Sequence, residues 1–558
     1  MNMVYSVTKC VINALRSSRT RIGTTLTESL NRASNTIMSV LAESAESPLV
    51  AIHGPPGTGK TTAYVYSISR HLNEENVSLS EYSKNILYVT SINRLVQDVF
   101  GRIMEEFFRL GIIDVNDRNS LIEGLSSIKV LGSQIMPYTT REELIELSQE
   151  LGDRVSIEEL NKMLVSMTKR EEKRKTRIVF TTEWQSVPIS LERGTFILVD
   201  EASKSPMFHA FTPIARELLR NRVINVYNLH GLTVIGDVQQ AISLEPEYSS
   251  LRGRELLLLR YVEKYISLAC RFGIIRNCEE YILMLKETLR IPKESEVPIS
   301  HGYYNGLLAS KQLLSDKVGS DALTLIAKCL DDAYKNTAEK LSRYLGSIIT
   351  RVLSDYVESF RAIIDNYRGQ KDKLLPPLIV IDTGKRRYEP GKEIEPYRVI
   401  IASSIALLLA QVIECVYRYK KYLFTLAVIA PYSELVNAIY QMFLNLESRL
   451  PTRDLERWVQ FSTVHSFLGG EADFVIAVLG REYYLPQYLS IYFKEPELLN
   501  VQLSRHKLLL TVVGSVEYFL HSANQFKIDR DEERVEKTLQ QLIDIVEEHK
   551  LRISLKTF

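Results

Sequence analysis

Along the chain, short apolar runs alternate with stretches in which apolar residues recur every three or four positions. The runs are Leu49–His53, Ile86–Thr90, Ile178–Thr182, Phe196–Val199 and Thr233–Ile235, then Leu378–Ile381, Leu426–Ile429, Phe474–Leu479 and Leu509–Val513. Each is followed by small or polar residues, and helical pattern separates them. That alternation predicts an α/β protein with two similar parallel-sheet cores in tandem.

Two segments break the alternation. Residues 103–176 are polar and helical, are interrupted at Pro137, and end in a basic cluster of Lys169, Arg170, Lys173, Arg174, Lys175 and Arg177. Residues 311–376 carry Leu341, Leu345, Ile348, Val352, Tyr356, Phe360, Ile363 and Tyr367 in steps of three or four, one face of a helix. The expected organisation is therefore core 1 from 1–102 and 177–275 with a helical insertion at 103–176. Core 2 follows from 276–310 and 377–522 with a helical insertion at 311–376, and 523–558 forms a charged C-terminal helix. The apolar face of the second insertion is expected to pack on its own domain, with a protein-binding arm or a wedge at a duplex fork as the other readings.

Composition changes this picture little. The 558 residues are 45% hydrophobic and 25% charged, ordinary for globular domains, and the net charge of +1 leaves any polyanion to be held by local basic surface. Val399–Val416 is the greasiest stretch, but Ser403, Ser404, Gln411 and Glu414 interrupt it, so it reads as a buried helix and no membrane is expected. Cys10, Cys270, Cys278, Cys329 and Cys415 show neither CxxC spacing nor the density of a disulfide scaffold, and no secretory leader pattern opens the chain. A reducing, cytoplasmic setting is the expectation.

The chemistry begins where the strand Leu49–His53 runs into Gly54, Pro55, Pro56, Gly57, Thr58, Gly59, Lys60 and Thr61, with helical pattern from Thr62. This is a P-loop in its strand-to-helix context: glycines let backbone N–H groups curl round phosphate oxygens, Lys60 reaches the β- and γ-phosphates, and Thr61 is a Mg²⁺ ligand. The second carboxylate site such a loop requires stands at the end of Phe196–Val199, where Asp200 would hold Mg²⁺ and Glu201 would polarise the attacking water.

Gly54–Thr61 with Asp200-Glu201-Ala202-Ser203 resembles the superfamily 1B helicases, the branch that contains the nonsense-mediated-decay helicase and senataxin. The likeness continues in order. Ser91-Ile92-Asn93 resembles motif Ia, Thr181-Thr182 motif Ic, Gly236-Asp237-Val238-Gln239-Gln240 motif III and Leu289-Arg290-Ile291-Pro292 the arginine motif. Ala430-Pro431-Tyr432 resembles motif IV, Thr463–Phe474 motif V and Leu499–Arg505 motif VI.

The resemblance implies RecA-like cores, ATP and Mg²⁺ as cofactors, and single-stranded DNA or RNA and duplex junctions as partners of a monomeric motor. Gln240 would sense the γ-phosphate, Arg290 and Arg505 would stabilise charge on the transferring phosphoryl group, and Glu471 would take the ribose hydroxyls. Strand contacts would come from Ser91, Asn93, Thr181, Thr182, Tyr432, Thr463 and His465. The activity implied is five-prime to three-prime translocation and unwinding, with DNA slightly favoured over RNA. An NTP-switched clamp or remodeller without processive unwinding is the alternative, and a helicase–nuclease fusion is disfavoured for want of a further carboxylate-rich domain.

Departures from the pattern fall on the base-reading contacts. Ser34 stands where a glutamine that reads adenine is usual, and Leu289 where an aromatic that stacks on the base is usual, so relaxed nucleotide preference is expected. Leu468 and Lys204 replace frequent glutamines in motifs V and II, and the β-barrel stalk of the family has no counterpart ahead of the P-loop. Tyr417-Arg418-Tyr419-Lys420-Lys421-Tyr422 interleaves aromatic and basic residues in a way that suits base stacking, with a structural role the favoured reading.

Overall fold

A computed structural model describes residues 5–19, 26–76, 78–91, 93–132, 135–136, 140–152, 154–169, 176–183, 185, 194–203, 212, 215, 229–240, 257–369, 374–384, 396–450, 454–467, 469–480, 491–525 and 530–555. Ile92, most of the basic cluster after Lys169, Lys204 and Leu468 lie outside the described residues. The chain divides into two compact units, Met1–Leu285 and Lys286–Phe558.

Unit 1 runs in chain order β1 (Tyr5–Ser6), α1 (Val7–Ser18), α2 (Glu28–Leu41), β2 (Leu49–His53), α3 (Lys60–Glu75), β3 (Asn85–Thr90) and α4 (Asn93–Leu110). It continues with α5 (Arg118–Ser126), β4 (Ile128–Leu131), β5 (Ile135–Met136), α6 (Arg141–Glu150), α7 (Ile157–Thr168), β6 (Ile178–Thr182), β7 (Thr195–Asp200), β8 (Leu229–Gly236), the helix Leu258–Arg271 and β9 (Ile282–Met284). Seven strands form one sheet in the order β4-β6-β3-β7-β8-β2-β9, every pairing parallel. Strands β3, β6 and β7 are buried at every position, which is why they read as unbroken apolar runs rather than as an alternation.

The sequence expectation needs two corrections here. The segment 103–176 is not wholly a helical insertion: α4 begins in the core, and Ile128–Leu131 pairs with β6 as an edge strand. Its two later helices start on reciprocal caps, Thr140 with Glu143 and Ser156 with Glu159. Core 1 also extends beyond residue 275, because Ile282–Met284 pairs with Ala51–His53 on the other edge. A three-residue strand gives too short a pattern to read.

Unit 2 contains β10 (Glu287–Thr288), β11 (Ala309–Ser310), β12 (Leu378–Asp382), β13 (Leu426–Ala430), β14 (Val459–Thr463), β15 (Ala472–Val478), β16 (His506–Val513) and β17 (Arg552–Ser554). Six of them make a parallel sheet in the order β14-β13-β15-β16-β12-β17. The C-terminal segment is thus more than a helix: after Arg530–Glu548 the chain adds β17 to the sheet edge.

The insertion 311–376 is a helical segment, Leu314–Arg368, broken where Gly319 and Gly346 take φ of +73° and +71°. Asp331 and Arg361, equally distant from Gly346 in sequence, form an ion pair, so the two arms on either side of that glycine lie antiparallel. The second arm packs on the sheet: Tyr356 Oη and Thr511 Oγ1 are 3.0 Å apart, and Phe360 meets Phe474 at a ring separation of 6.1 Å. Each large ring removed from water in this way contributes about 2–3 kcal/mol.

The first arm lies along the helix Pro396–Lys420, where Gln411 donates to Thr337 Oγ1 at 2.7 Å. That helix is long and apolar enough to cross a membrane, yet 89% of its apolar stretch is buried within this unit. The cysteines depart from expectation, because Cys329 is bonded to Cys415 in unit 2 and Cys270 to Cys278 in unit 1, leaving Cys10 free.

Candidate nucleotide and strand sites

In unit 1 the C-terminal ends of β2, β7 and β8 lie side by side, the edge of a parallel sheet at which ligands bind. The loop after β2 turns through Gly57 and Gly59, with φ of +69° and +89°, and Gly59 is the N-cap of α3, so the loop delivers its chain to a helix N-terminus. A Cβ at Gly54 would lie 2.2 Å from Lys60 Cγ, so a side chain there would displace Lys60 from its place over the loop. The Lys60 ammonium folds over the loop and donates to the Gly54 carbonyl at 2.8 Å. Thr58 Oγ1 donates to the Pro55 carbonyl at 2.8 Å, bracing the turn.

Asp200 faces this loop. Its Oδ2 accepts from Thr61 Oγ1 at 3.1 Å and from the Tyr88 hydroxyl at 2.9 Å, and its Oδ1 accepts the Glu201 N–H at 2.8 Å. Burial and the neighbouring Glu201 carboxylate push the Asp200 carboxyl up to about 6, against the pull of Lys60 and Tyr88. The hard oxygens of Thr61 and Asp200 converge as a small divalent cation requires, so the residues present fit Mg²⁺ beside a nucleotide. Glu201 holds a left-handed φ of 56°, a conformation costly to a side-chain-bearing residue and kept only where the surroundings impose it.

Motif III is joined to both. Gly54 N–H donates to the Gly236 carbonyl, Ala202 N–H to the Ile235 carbonyl, and Asp237 N–H to Ser203 Oγ, all within 2.8–2.9 Å. Gln240 follows on a short turn and is 4% exposed.

Tyr88 was not found by sequence reasoning. Its signal is the register: Thr90 pairs with Asp200, and a residue two positions back shares that face of the sheet. Ser34 requires a correction. It lies on α2 at 0% exposure, its hydroxyl has no hydrogen-bond partner, and its carbonyl accepts from Ser67 of α3. Ser34 is a packing residue between two helices and does not reach a base.

Unit 2 brings Arg290 and Glu471 together. Arg290 Nε donates to Glu471 Oε2 at 2.8 Å, Lys507 Nζ meets Glu471 Oε1 at 2.5 Å, and Lys317 donates to the carbonyls of Arg290 and Lys507. Burial alone would raise the Glu471 carboxyl, but Arg290 and Lys507 outweigh it and hold it at about 2. Burial and Lys507 together bring Lys317 down to about 8. Glu471 therefore serves first to pair cations. Arg505 is 2% exposed, and its Nη1 lies 3.5 Å from the Gly470 carbonyl. Leu289, beside Arg290, is half-buried and presents no ring.

The residues expected to touch a strand divide between the two units. At the C-terminal ends of β13 and β14, Tyr432, Thr463 and His465 line one cavity of about 400 Å³ with Pro431, Ser433 and Glu434. The helix Ser433–Glu447 starts there, so the positive end of a helix dipole faces the site. In unit 1, Ser91 and Asn93 follow β3 beside Thr182 of β6. Thr181 is a further correction: it is fully buried and its hydroxyl donates to the Thr182 carbonyl.

Models of two families, each described as an AAA domain, match the chain at residues 29–187 and 274–517. The first takes in the P-loop and the Ser91–Thr182 cluster, and the second takes in Arg290, Glu471 and Arg505. The chain belongs to the superfamily 1B helicases. This superfamily 1B chain is 23% identical over 508 residues to DNA polymerase alpha-associated DNA helicase A of Saccharomyces cerevisiae, covering 86% of its own length and 64% of the yeast protein's. Similar solved structures include Arterivirus nonstructural protein 10 (helicase) with DNA, at TM-score 0.32 and 11% identity over 86% of this chain and 62% of that one. Another is S. cerevisiae Dbp5 bound to RNA and ADP BeF3, at TM-score 0.38 and 8% identity over 98% and 93%. Scores this low add nothing to the fold traced above.

Proposed function

We propose that this superfamily 1B protein hydrolyses a nucleoside triphosphate with Mg²⁺ and uses the cycle to move five-prime to three-prime along single-stranded nucleic acid, DNA in preference to RNA, separating duplexes as it goes. The observation that carries the proposal is the join of Lys60, Thr61 and Asp200 at one sheet edge, tied through Gly236 to Gln240. A bound Mg²⁺ would neutralise charge on the transferring phosphoryl group, held by Thr61 and Asp200. Lys60 leaves the Gly54 carbonyl for phosphate oxygens, and Glu201 orients the attacking water. In unit 2, Arg290, here paired with Glu471, and Arg505 are the cations to which the family resemblance gives the charge on the transferring phosphoryl group.

The triphosphate is ATP, with other nucleotides accepted at comparable rates. Ser34 is buried and Leu289 has no π-face, so neither of these two positions selects the base. The acting species is a monomer inside the cell, although the two cystines run against the reducing interior that cysteine spacing pointed to.

The test is strand displacement from duplexes with five-prime or three-prime tails, beside phosphate release. Displacement of the five-prime-tailed duplex alone is the expected result. Strand-stimulated hydrolysis without displacement from either would replace the motor by an NTP-switched clamp.

A further inference from the structure

Where the helix Pro396–Lys420 ends and the chain turns into β13, unit 2 carries a group of side chains that the nucleotide site does not use. Tyr419, Tyr422 and Leu423 stand 61%, 42% and 72% exposed. Arg418 has 69% of its side chain in solvent, and Lys420 and Lys421 are exposed on either side of the turn. Beneath them Tyr417 packs on Trp458 with ring centroids 5.2 Å apart, and Arg457 lies over the Trp458 ring at 5.0 Å.

A second part of the chain completes the group. Lys328, on the first arm of the helical hairpin, sits 5.0 Å from the Tyr419 ring. The adjacent Cys329 is bonded to Cys415, so a covalent tie holds that arm against the end of the helix that bears Arg418.

The carboxylates nearby do not cancel this charge. Glu414 accepts from Arg418 at 2.7 Å and lies 4.0 Å from Arg457, the first acid among five cations. Asp331 is paired with Arg361, and Glu456, which accepts the Tyr440 hydroxyl and keeps its charge, is a second acid. Asp332, one turn along from Lys328, is exposed, and Asp473 accepts the N–H and the hydroxyl of Thr425 next to the turn. On a chain whose formal net charge is only +1, this is a local concentration of positive surface.

We infer that this patch is a second nucleic-acid contact, in which the cations hold phosphates and Tyr419 and Tyr422 stack on the bases of a single strand. It rests on the reading of the chain as a strand-binding motor. Exposed rings set among cations offer stacking faces that suit bases of any sequence: Tyr419 has Lys328 over its ring, and Tyr422 lies 6.1 Å from the Phe424 ring that backs it. The patch sits where β13 and β14 begin, and the Tyr432–Thr463–His465 cavity where they end, about 15 Å along the strands. It therefore takes a segment of nucleic acid beyond the one held at the cavity.

Binding of a short strand of roughly 10 nucleotides and of one several times longer, measured by anisotropy over a salt series, tests this. In R418Q/K420Q/K421Q the long strand is expected to bind about tenfold more weakly, with the salt slope reduced by about 2. Y419A/Y422A lowers long-strand affinity about tenfold with the slope unchanged. Both variants bind the short strand and hydrolyse nucleotide without strand as wild type does. Wild-type affinity and slope for the long strand in both variants, or an equal loss for both lengths, overturns the inference. Loss of binding to polyglutamate with strand binding intact reassigns the patch to an acidic protein. A wild-type chain that binds neither strand refutes the motor reading itself.

Discussion

Gly236 is the residue through which the three nucleotide motifs of unit 1 are joined, and Gly236→Ala probes that join. A Cβ at this position would lie 2.7 Å from the Ser203 backbone nitrogen and 2.9 Å from its Oγ. Ordinary contact begins at 3.4 Å, so the Ser203 backbone must retreat by about 0.7 Å. That backbone belongs to the turn that starts at Asp200, and Ser203 Oγ also accepts the Asp237 N–H. Forcing a methyl into a packed core costs about 1–3 kcal/mol. Displacing catalytic groups on the ångström scale costs up to about 100-fold in rate. We predict strand-stimulated phosphate release 10–100-fold below wild type, on the order of the full misplacement penalty, with a melting temperature lower by a few degrees. Gly101→Ala is the matched control: nothing lies within 4 Å of its Cβ, and an alanine inside α4 is expected to stabilise by about 0.5–1 kcal/mol without changing the rate. Wild-type hydrolysis in Gly236→Ala would refute the coupling.

Three further outcomes follow from the geometry. Ser34→Gln places the glutamine usual in the family at a position with 0% exposure, so unfolding stability should fall by about 1–3 kcal/mol while the ratio of ATP to GTP turnover stays put; a shift toward ATP would return Ser34 to the base site. Burial and nearby Lys317 bring His506 down to about 3, so its neutral form stabilises the fold above the unfolded value near 6.5 and that stability is lost as pH falls toward 3. Between pH 7 and pH 5 wild type should lose about 2 kcal/mol more in urea unfolding than His506→Gln, and equal losses would contradict the burial argument. Glu471→Gln removes the anion that Arg290 and Lys507 share, lowering stability by about 1 kcal/mol at low salt and less at high salt; a salt-independent loss would mean packing rather than charge.

The nine strands placed from apolar runs all occur, because a parallel sheet buried on both faces writes itself as unbroken apolar sequence. What escaped is short or non-local. β4, β9 and β17 have three or four residues each, and β14 is half-exposed and polar, so neither length nor hydropathy marks them. The P-loop and Asp200 were legible because phosphate chemistry fixes residue types at fixed spacing. Ser34 was misread because a motif position carries no information on which helix face is buried: here that face also carries Leu30, Ala33 and Ile37. Lys317 reaches Arg290 and Lys507 from a distant helix, and the cystine Cys329–Cys415 spans 86 residues, contacts that only the fold can supply.

The most direct test of the account is phosphate release by wild type and Lys60→Ala, each without nucleic acid, with single-stranded DNA and with single-stranded RNA. Stimulation of the wild type by strand, more by DNA than by RNA, and loss of hydrolysis in Lys60→Ala with both strands is the result predicted. Full activity in Lys60→Ala would contradict the assignment of the site at the end of β2, and with it the motor.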